Sequence, residues 1–263
     1  MRNGSKATLA IAVTAAVLLG AAARAEGPSG HYPWAQRLAA AKRWAEHRQG
    51  RISFAVVDES GRTHGFHPDR VHNSASVVKV LFMVALLREP DVRDHRLGDS
   101  ERALLKPMIR RSDNAAATAI FNRVGERRLY ELADEAGLER FSTQPLWGLT
   151  TITAGSQARF IGRLRELIPR RHRTYAMRLL ARIVPGQRWG IPPVAPRGWR
   201  LHFKGGWSGA PSWRVNQVML LRKPPRRFAI AILTREQPSM RYGELSIEGV
   251  ARRLLRSYNR LSR

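Results

Sequence analysis

Eleven consecutive residues, Val77 to Leu87 (VVKVLFMVALL), are apolar at every position but one. A helix with no polar face has to be wrapped on all sides. This run therefore belongs at the centre of a folded body, and Pro90 marks its end. The exception is Lys79. A lysine inside such a helix loses its hydration and is driven toward its neutral form, whereas a leucine would pack there without that cost. Ser76 stands three residues earlier, one helical turn away on the same face. Backbone N–H groups and the positive dipole end at a helix start favour an anion developing on that hydroxyl. A neutral lysine so placed can take the hydroxyl proton, the Ser–Lys form of an activated nucleophile. A capping serine with a snorkelling lysine fits the same four residues, so the rest of the chain has to decide.

Around this run the pattern changes class twice. Trp34 to His47 has helical periodicity and stops at Gly50. Ile52 to Val57 reads as a strand, Glu59-Ser60-Gly61 as a turn and Thr63 to His67 as the returning strand. From Asp91 to about Pro193 the spacing predicts helices at Ser100–Lys106 (stopped by Pro107), Ala115–Asn122, Glu126–Ala136 with Gly137 as C-cap, Gln157–Leu167 and Tyr175–Ile183. Residues 140–153 form a loop without a clear period. Trp199–Gly205, Arg214–Leu221 and Arg226–Thr234 are strands, set off by Gly209-Ala210-Pro211 and Pro224-Pro225, and a helix from Gly243 to about Tyr258 follows. Strands from both ends around a helical middle predict an α+β fold: one antiparallel sheet flanked by helices, plus an inserted all-helical lobe. The expected divisions are residues 26–90 with 197–263 as the α/β lobe and 91–196 as the helical lobe.

Residues 1–25 carry a basic start (Arg2, Lys6), an apolar stretch from Ala7 to Leu19 and Ala23-Arg24-Ala25, the order of a secretory signal. Cleavage is expected before Glu26, leaving a secreted or periplasmic protein with no membrane span. Cysteine is absent, so disulfides, thiol catalysis and thiolate metal sites are excluded. The formal charge is +26, and +23 once Arg2, Lys6 and Arg24 are removed. That field favours anionic cell-wall polymers. The basic residues are dispersed, without aromatic interleaving or a recognition module, so specific nucleic-acid binding is not expected.

Two further motifs settle the reading of Ser76 and Lys79. Ser112-Asp113-Asn114 precedes a helix of small residues, and Lys204-Gly205-Gly206 ends a predicted strand. S-x-x-K, S-D-N and K-x-G in this order, each in the expected element, form the motif set of class A β-lactamases and penicillin-binding proteins. The chain resembles that serine β-lactamase and transpeptidase superfamily from about Trp34 to Ser257. The resemblance implies Ser76 as nucleophile, Lys79 as its base, Ser112 as proton relay to the leaving nitrogen, and Lys204 as the group that polarises Ser112 and attracts a substrate carboxylate. It further implies Asn114, Gly205, Gly206 and Trp207 as substrate-binding positions, with the backbone N–H groups of Ser76 and Trp207 as oxyanion hole. No cofactor is implied, and a monomer is expected.

Two positions depart from that pattern. Between Phe141 and Thr153 there is no acidic residue, where the family's β-lactamases carry a glutamate that activates the deacylating water. Glu139 lies just outside the stretch and Glu166 on the following helix. Gly205 stands where many members have Thr or Ser. The expectation is an acylating serine hydrolase with weak deacylation, acting on a β-lactam or a peptidoglycan-like amide or ester. A D,D-peptidase or esterase, or a catalytically silent basic wall-binding protein on the same scaffold, are the alternatives. His64 and His67 alternate across a strand and supply no third ligand, so no metal site is expected. Trp189, Trp199, Trp207 and Trp213 read as packing, or as a wall for a peptide or sugar.

Overall fold

The computed structural model describes Met1, residues 32–209 and residues 212–258. The expected signal segment, apart from Met1, and Ala210-Pro211 of the expected turn lie outside the described residues. The helices are α1 (Trp34–Glu46), α2 (Lys79–Leu87), α3 (Pro90–Arg93), α4 (Asp99–Arg110), α5 (Asn114–Ala136), α6 (Ala154–Leu167), α7 (Arg173–Ala181) and α8 (Met240–Leu255). The strands are β1 (Arg51–Val57), β2 (Thr63–Phe66), β3 (Val71–Asn73), β4 (Thr151–Thr153), β5 (Arg200–Ser208), β6 (Arg214–Lys223) and β7 (Arg226–Arg235).

Five strands form one antiparallel sheet in the order β2-β1-β7-β6-β5. The first hairpin and the last three strands therefore share a sheet, as their separation in sequence predicts. Helices cover both faces. Leu220 and Ala229 are cross-strand partners, and Ala229 meets Gly162 of α6. Val215, of opposite parity on β6, meets Gly243 of α8, so α8 lies on the other face. There α8 packs against α1, and Gly249 passes so close that an added Cβ would sit 2.2 Å from the Trp44 ring.

Every residue of α2 is buried, Lys79 included, as an all-apolar helix requires. Helix α5 runs along it. The two helices expected at Ala115–Asn122 and Glu126–Ala136 are both present within α5, separated by a kink at Gly125, which sits outside the helical region at φ 75°, ψ 158°. Gly137 caps it in the left-handed conformation.

Three expectations need correction. Pro107 does not stop α4, which continues to Arg110. Its carbonyl takes the N–H groups of Arg111 and Asp113, so the chain leaves the helix after the proline rather than at it. The stretch 140–153 is not wholly irregular: it holds a 3-10 turn, Trp147–Leu149, and strand β4, which pairs with β3 in a second, two-stranded sheet. Three-residue strands are too short to show alternation. The last helix starts three residues early, at Met240, because Ser239 caps it by accepting the Tyr242 N–H. Among the described residues no helix is long and apolar enough to cross a membrane.

Candidate active site

Ser76 lies in a 3-10 turn, Ala75–Val78, that leads directly into α2. The turn begins under strain: Ala75 holds φ 45°, a left-handed conformation that costs a residue with a Cβ about 1 kcal/mol or more. The Ser74 N–H donates to Thr150 C=O, and Asn216 Nδ2 donates to the carbonyls of Asn73 and Ser74. Those bonds fasten the bend from both sides.

β5 is an edge strand of the large sheet, so one row of its backbone polar groups is free of strand pairing. This edge packs against the Ser76 turn. A Cβ built on Gly206 would stand 2.7 Å from the backbone nitrogens of Ser76 and Val77 and 2.9 Å from Ser74 O. Only glycine allows the strand to come so near. Gly205 is excluded from carrying a side chain for a different reason: its Cβ would lie 2.9 Å from the Trp189 ring. The indole fills the space that Thr or Ser would need.

Ser112 is the second strained residue, at φ 61°. Asp113 follows as N-cap of α5, its carboxylate accepting the Ala116 N–H at 2.8 Å. The capping role of Asp113 and the tripeptide's place in the site coexist, because the cap turns Ser112 back toward α2 while Asn114 opens the helix. Lys79 Nζ donates to Ser112 C=O at 2.6 Å and to Asn114 Oδ1 at 2.7 Å, with Ser112 Oγ at 3.3 Å. Lys204 Nζ donates to Ser112 Oγ at 3.0 Å and to Gly205 C=O at 2.6 Å. The network therefore runs Lys204, Ser112, Lys79, Asn114.

Both lysines are fully buried. Burial pushes Lys79 down to about 8, against the opposing pull of the Asp113 carboxylate. Burial, then the like charge of Lys79, holds Lys204 well below the ordinary lysine range. A neutral amine has two N–H bonds and one lone pair. Ser112 C=O and Asn114 Oδ1 take both N–H bonds of Lys79, so its lone pair is available to a hydroxyl. The arrangement can accept a proton from a serine and pass one through Ser112.

A cleft of about 600 Å³ opens beside this network, lined by Ser76, Asn114, Thr118, Leu146, Trp147, Gly148, Trp207, Ser208 and Arg214 among others. No carboxylate is among the described residues that line it. Glu139 pairs with Arg159 at 3.0 Å, and Glu166 with Arg227 and Arg163. The four tryptophans read together in the sequence separate: Trp207 lines the cleft, Trp189 backs it edge-on to Trp207 at 6.1 Å, Trp199 packs on Phe228 and Tyr258, and Trp213 sits under Gly209. Sequence reasoning missed Trp147, Thr118 and Arg214. Trp147 had a signal: it is a large aromatic, beside Leu146 and Leu149, in a stretch without a clear period. His64 binds Asp58 at 2.7 Å.

A family model described as beta-lactamase enzyme family matches residues 100–258. That segment includes Ser112, Asn114 and Lys204 and starts downstream of Ser76 and Lys79. The fold is similar to a solved beta-lactamase of Sphaerobacter thermophilus (TM-score 0.75, 21% identity, 87% of this chain and 98% of that one). It is also similar to a class A beta-lactamase of Mycobacterium abscessus (TM-score 0.71, 22% identity, 85% and 99%) and to the ancestral GNCA class A beta-lactamase (TM-score 0.72, 20% identity, 84% and 100%). Identities this low speak for the fold. No curated protein matches the chain.

Proposed function

We propose that this chain, which belongs to the beta-lactamase enzyme family, is an exported serine hydrolase that forms an acyl-enzyme on Ser76 with a β-lactam or a related amide or ester. The observation that carries the reading is the Lys79 amine, buried one turn after Ser76 with both of its neutral-form N–H bonds committed to Ser112 and Asn114.

Ser76 Oγ attacks the carbonyl carbon as its proton passes to Lys79. Backbone N–H groups of Ser76 and Trp207 receive the oxyanion, which requires the close approach that Gly206 permits. Collapse breaks the C–N bond, and the leaving nitrogen takes a proton from Ser112, which Lys79 replenishes. Lys204 donates to Ser112 Oγ and makes that hydroxyl the better acid. Buried as it is, Lys204 influences a substrate carboxylate through its field rather than by contact. Asn114 orients Lys79 and faces the bound amide. The chemistry falls at the seam between the expected helical lobe, 91–196, and the described parts of the expected α/β lobe, 26–90 with 197–263.

Release of the acyl group needs a base for water, and the cleft offers no carboxylate for it. Deacylation is accordingly slow, by about 10²–10⁴-fold relative to a site with a general base. This acid-free lining favours a second reading on the same machinery, a D,D-peptidase or esterase that passes the acyl group to another nucleophile. A net charge of +23 after removal of the expected signal would hold a secreted monomer near anionic wall polymers.

Labelling with a fluorescent penicillin tests this. The expected result is one equivalent of covalent label, lost in Ser76→Ala, with intact mass spectrometry showing protein plus one drug mass that persists for minutes. No label on the folded protein would leave a silent wall-binding protein. Rapid turnover without an adduct would sink the slow-deacylation half of the reading.

A further inference from the structure

The turn Trp147–Leu149 is tied down from several directions. Thr150 donates to the Trp147 carbonyl through both its hydroxyl (2.6 Å) and its backbone N–H (3.0 Å). Asn73 Nδ2 donates to Leu149 C=O at 2.8 Å, linking the turn to the strand that leads into Ser76. The Trp147 indole N–H donates to Thr118 Oγ1 on α5 at 3.1 Å, and the ring meets Phe82 of α2 edge-on at 5.9 Å. So held, its centroid lies 4.9 Å from Lys79 Nζ, and the ring lines the cleft beside Ser76.

We propose that Trp147 is a positioning residue of the acyl-transfer site, whose indole caps the Lys79 amine against bulk water and keeps solvent off the Ser76 ester. The inference rests on the reading that Ser76 is acylated. The walls around Lys79 Nζ are neutral: the Ser112 carbonyl and hydroxyl, the Asn114 amide and the Trp147 ring. The charged groups that face it are Asp113, just before Asn114, and Lys204 across Ser112, with Arg214 in the cleft lining. A ring face returns to a nearby cation less than the hydration an ammonium loses on burial. The indole's net effect is therefore to favour the neutral amine. Hydrolysis of the ester needs a water on the acyl carbon that gives its proton to a base while the bond to Ser76 Oγ breaks. A wall that excludes water suppresses that step and leaves attack by Ser76 untouched.

The test follows acylation rate against pH, and adduct lifetime by intact mass, after mixing with a penicillin. Trp147→Ala should shift the acylation midpoint upward by about half a unit to one unit and shorten the adduct lifetime roughly threefold or more. Trp147→Phe, which keeps an aromatic wall, should restore most of both, and Gln144→Ala, exposed in the same loop, should match the parent. If Trp147→Ala melts early, Thr118→Val unties only the indole N–H and must move both readouts the same way by a smaller amount. A folded Trp147→Ala or Thr118→Val with parental midpoint and lifetime overturns the proposal. A parent protein that takes no adduct overturns the acylation reading itself, which is a different result.

Discussion

Lys79 and Lys204 converge on a single hydroxyl, Ser112 Oγ, at 3.3 and 3.0 Å. Two ammonium groups so close, both out of water, repel strongly, and each is held below its ordinary proton affinity by burial first. Loss of a proton from either one relieves that repulsion. Lys79 has Ser112 C=O, Asn114 Oδ1 and, more distantly, Ser112 Oγ as acceptors, and Lys204 has Gly205 C=O and Ser112 Oγ. The hydroxyl between them is thus bonded by a donor on one side and beside a lone pair on the other. That is the arrangement the proposed relay through Ser112 needs.

The pH dependence of acylation follows from Lys79. As the proposed base it has to be neutral to act, and burial brings its proton affinity down to about 8. The rate should climb roughly tenfold per unit below that point and level off above it. Stability follows the same sign. A lysine with a lowered value binds fewer protons folded than unfolded, so its burial cost is present in full below pH 8. That cost fades as pH rises toward the unfolded value near 10.4. Stopped-flow acylation and urea melts between pH 6 and 10 check the two halves separately. Lys79→Met should abolish the first, and a flat rate profile in the parent would move the base role elsewhere.

Ser112 offers a cleaner separation of strain from chemistry. Ser112→Ala and Ser112→Gly both lose the hydroxyl that joins the two lysines, so each should lower acylation by about 10²-fold or more. Their stabilities should differ. The left-handed φ of 61° suits glycine and strains alanine, so the glycine variant should be the more stable by about 1 kcal/mol. Equal melting midpoints would mean the strain at this position is relieved elsewhere.

Much of this was legible in the chain. A helix apolar on all faces announces its own burial, and Lys79 stands out within it; the short β-rich runs Arg214–Leu221 and Arg226–Thr234, bounded by turn signals, mark strands. The three motifs carry Ser76, Lys79, Ser112, Asn114 and Lys204 because each needs its residue types at fixed offsets. What was not legible depends on contacts between distant segments. β3 and β4 are three residues each and form only because 71–73 and 151–153 meet. Trp147 reaches Lys79 across 68 positions, with no periodicity to predict it. Pro107 marked a helix end by local rule, and the helix ran on because its later turn remains packed, with Met108 and Ile109 fully buried.

Gly206→Ala should be among the most damaging single-carbon changes in the protein. The new methyl would meet three backbone atoms at 2.7–2.9 Å, and backbone of a strained turn cannot step aside as a side chain can. The edge strand must retreat from Ser76, which costs about 1–3 kcal/mol of stability and widens the oxyanion hole by enough to lose about 10²-fold in acylation. Gly186→Ala, where a Cβ meets nothing within 4 Å, should leave thermal melting and labelling as they are. Parental labelling by a folded Gly206→Ala would show that the oxyanion donors lie elsewhere.

The last prediction concerns why Gly205 departs from its family's pattern. Trp189 lies where a side chain at 205 would go, at 2.9 and 3.0 Å from the added Cβ, and the two positions should therefore be coupled. Gly205→Thr alone forces the indole or the strand to shift and should destabilise by about 1–3 kcal/mol. Trp189→Leu alone leaves a partly empty volume and should cost about 2–4 kcal/mol. Combined, the threonine occupies part of what the indole vacates, so the double variant should be more stable than the sum of the singles by about 1 kcal/mol or more. The functional half is separate. With room restored, the threonine hydroxyl can donate to a substrate carboxylate, so the double variant should need less penicillin to half-saturate acylation while the maximal rate, set by Lys79 and Ser112, stays near the parent value. Thermal melts of the four proteins give the coupling, and acylation rates against penicillin concentration give the split between binding and chemistry. Strict additivity in the melts would mean that Trp189 and residue 205 do not compete for one space, and the glycine would then need another explanation.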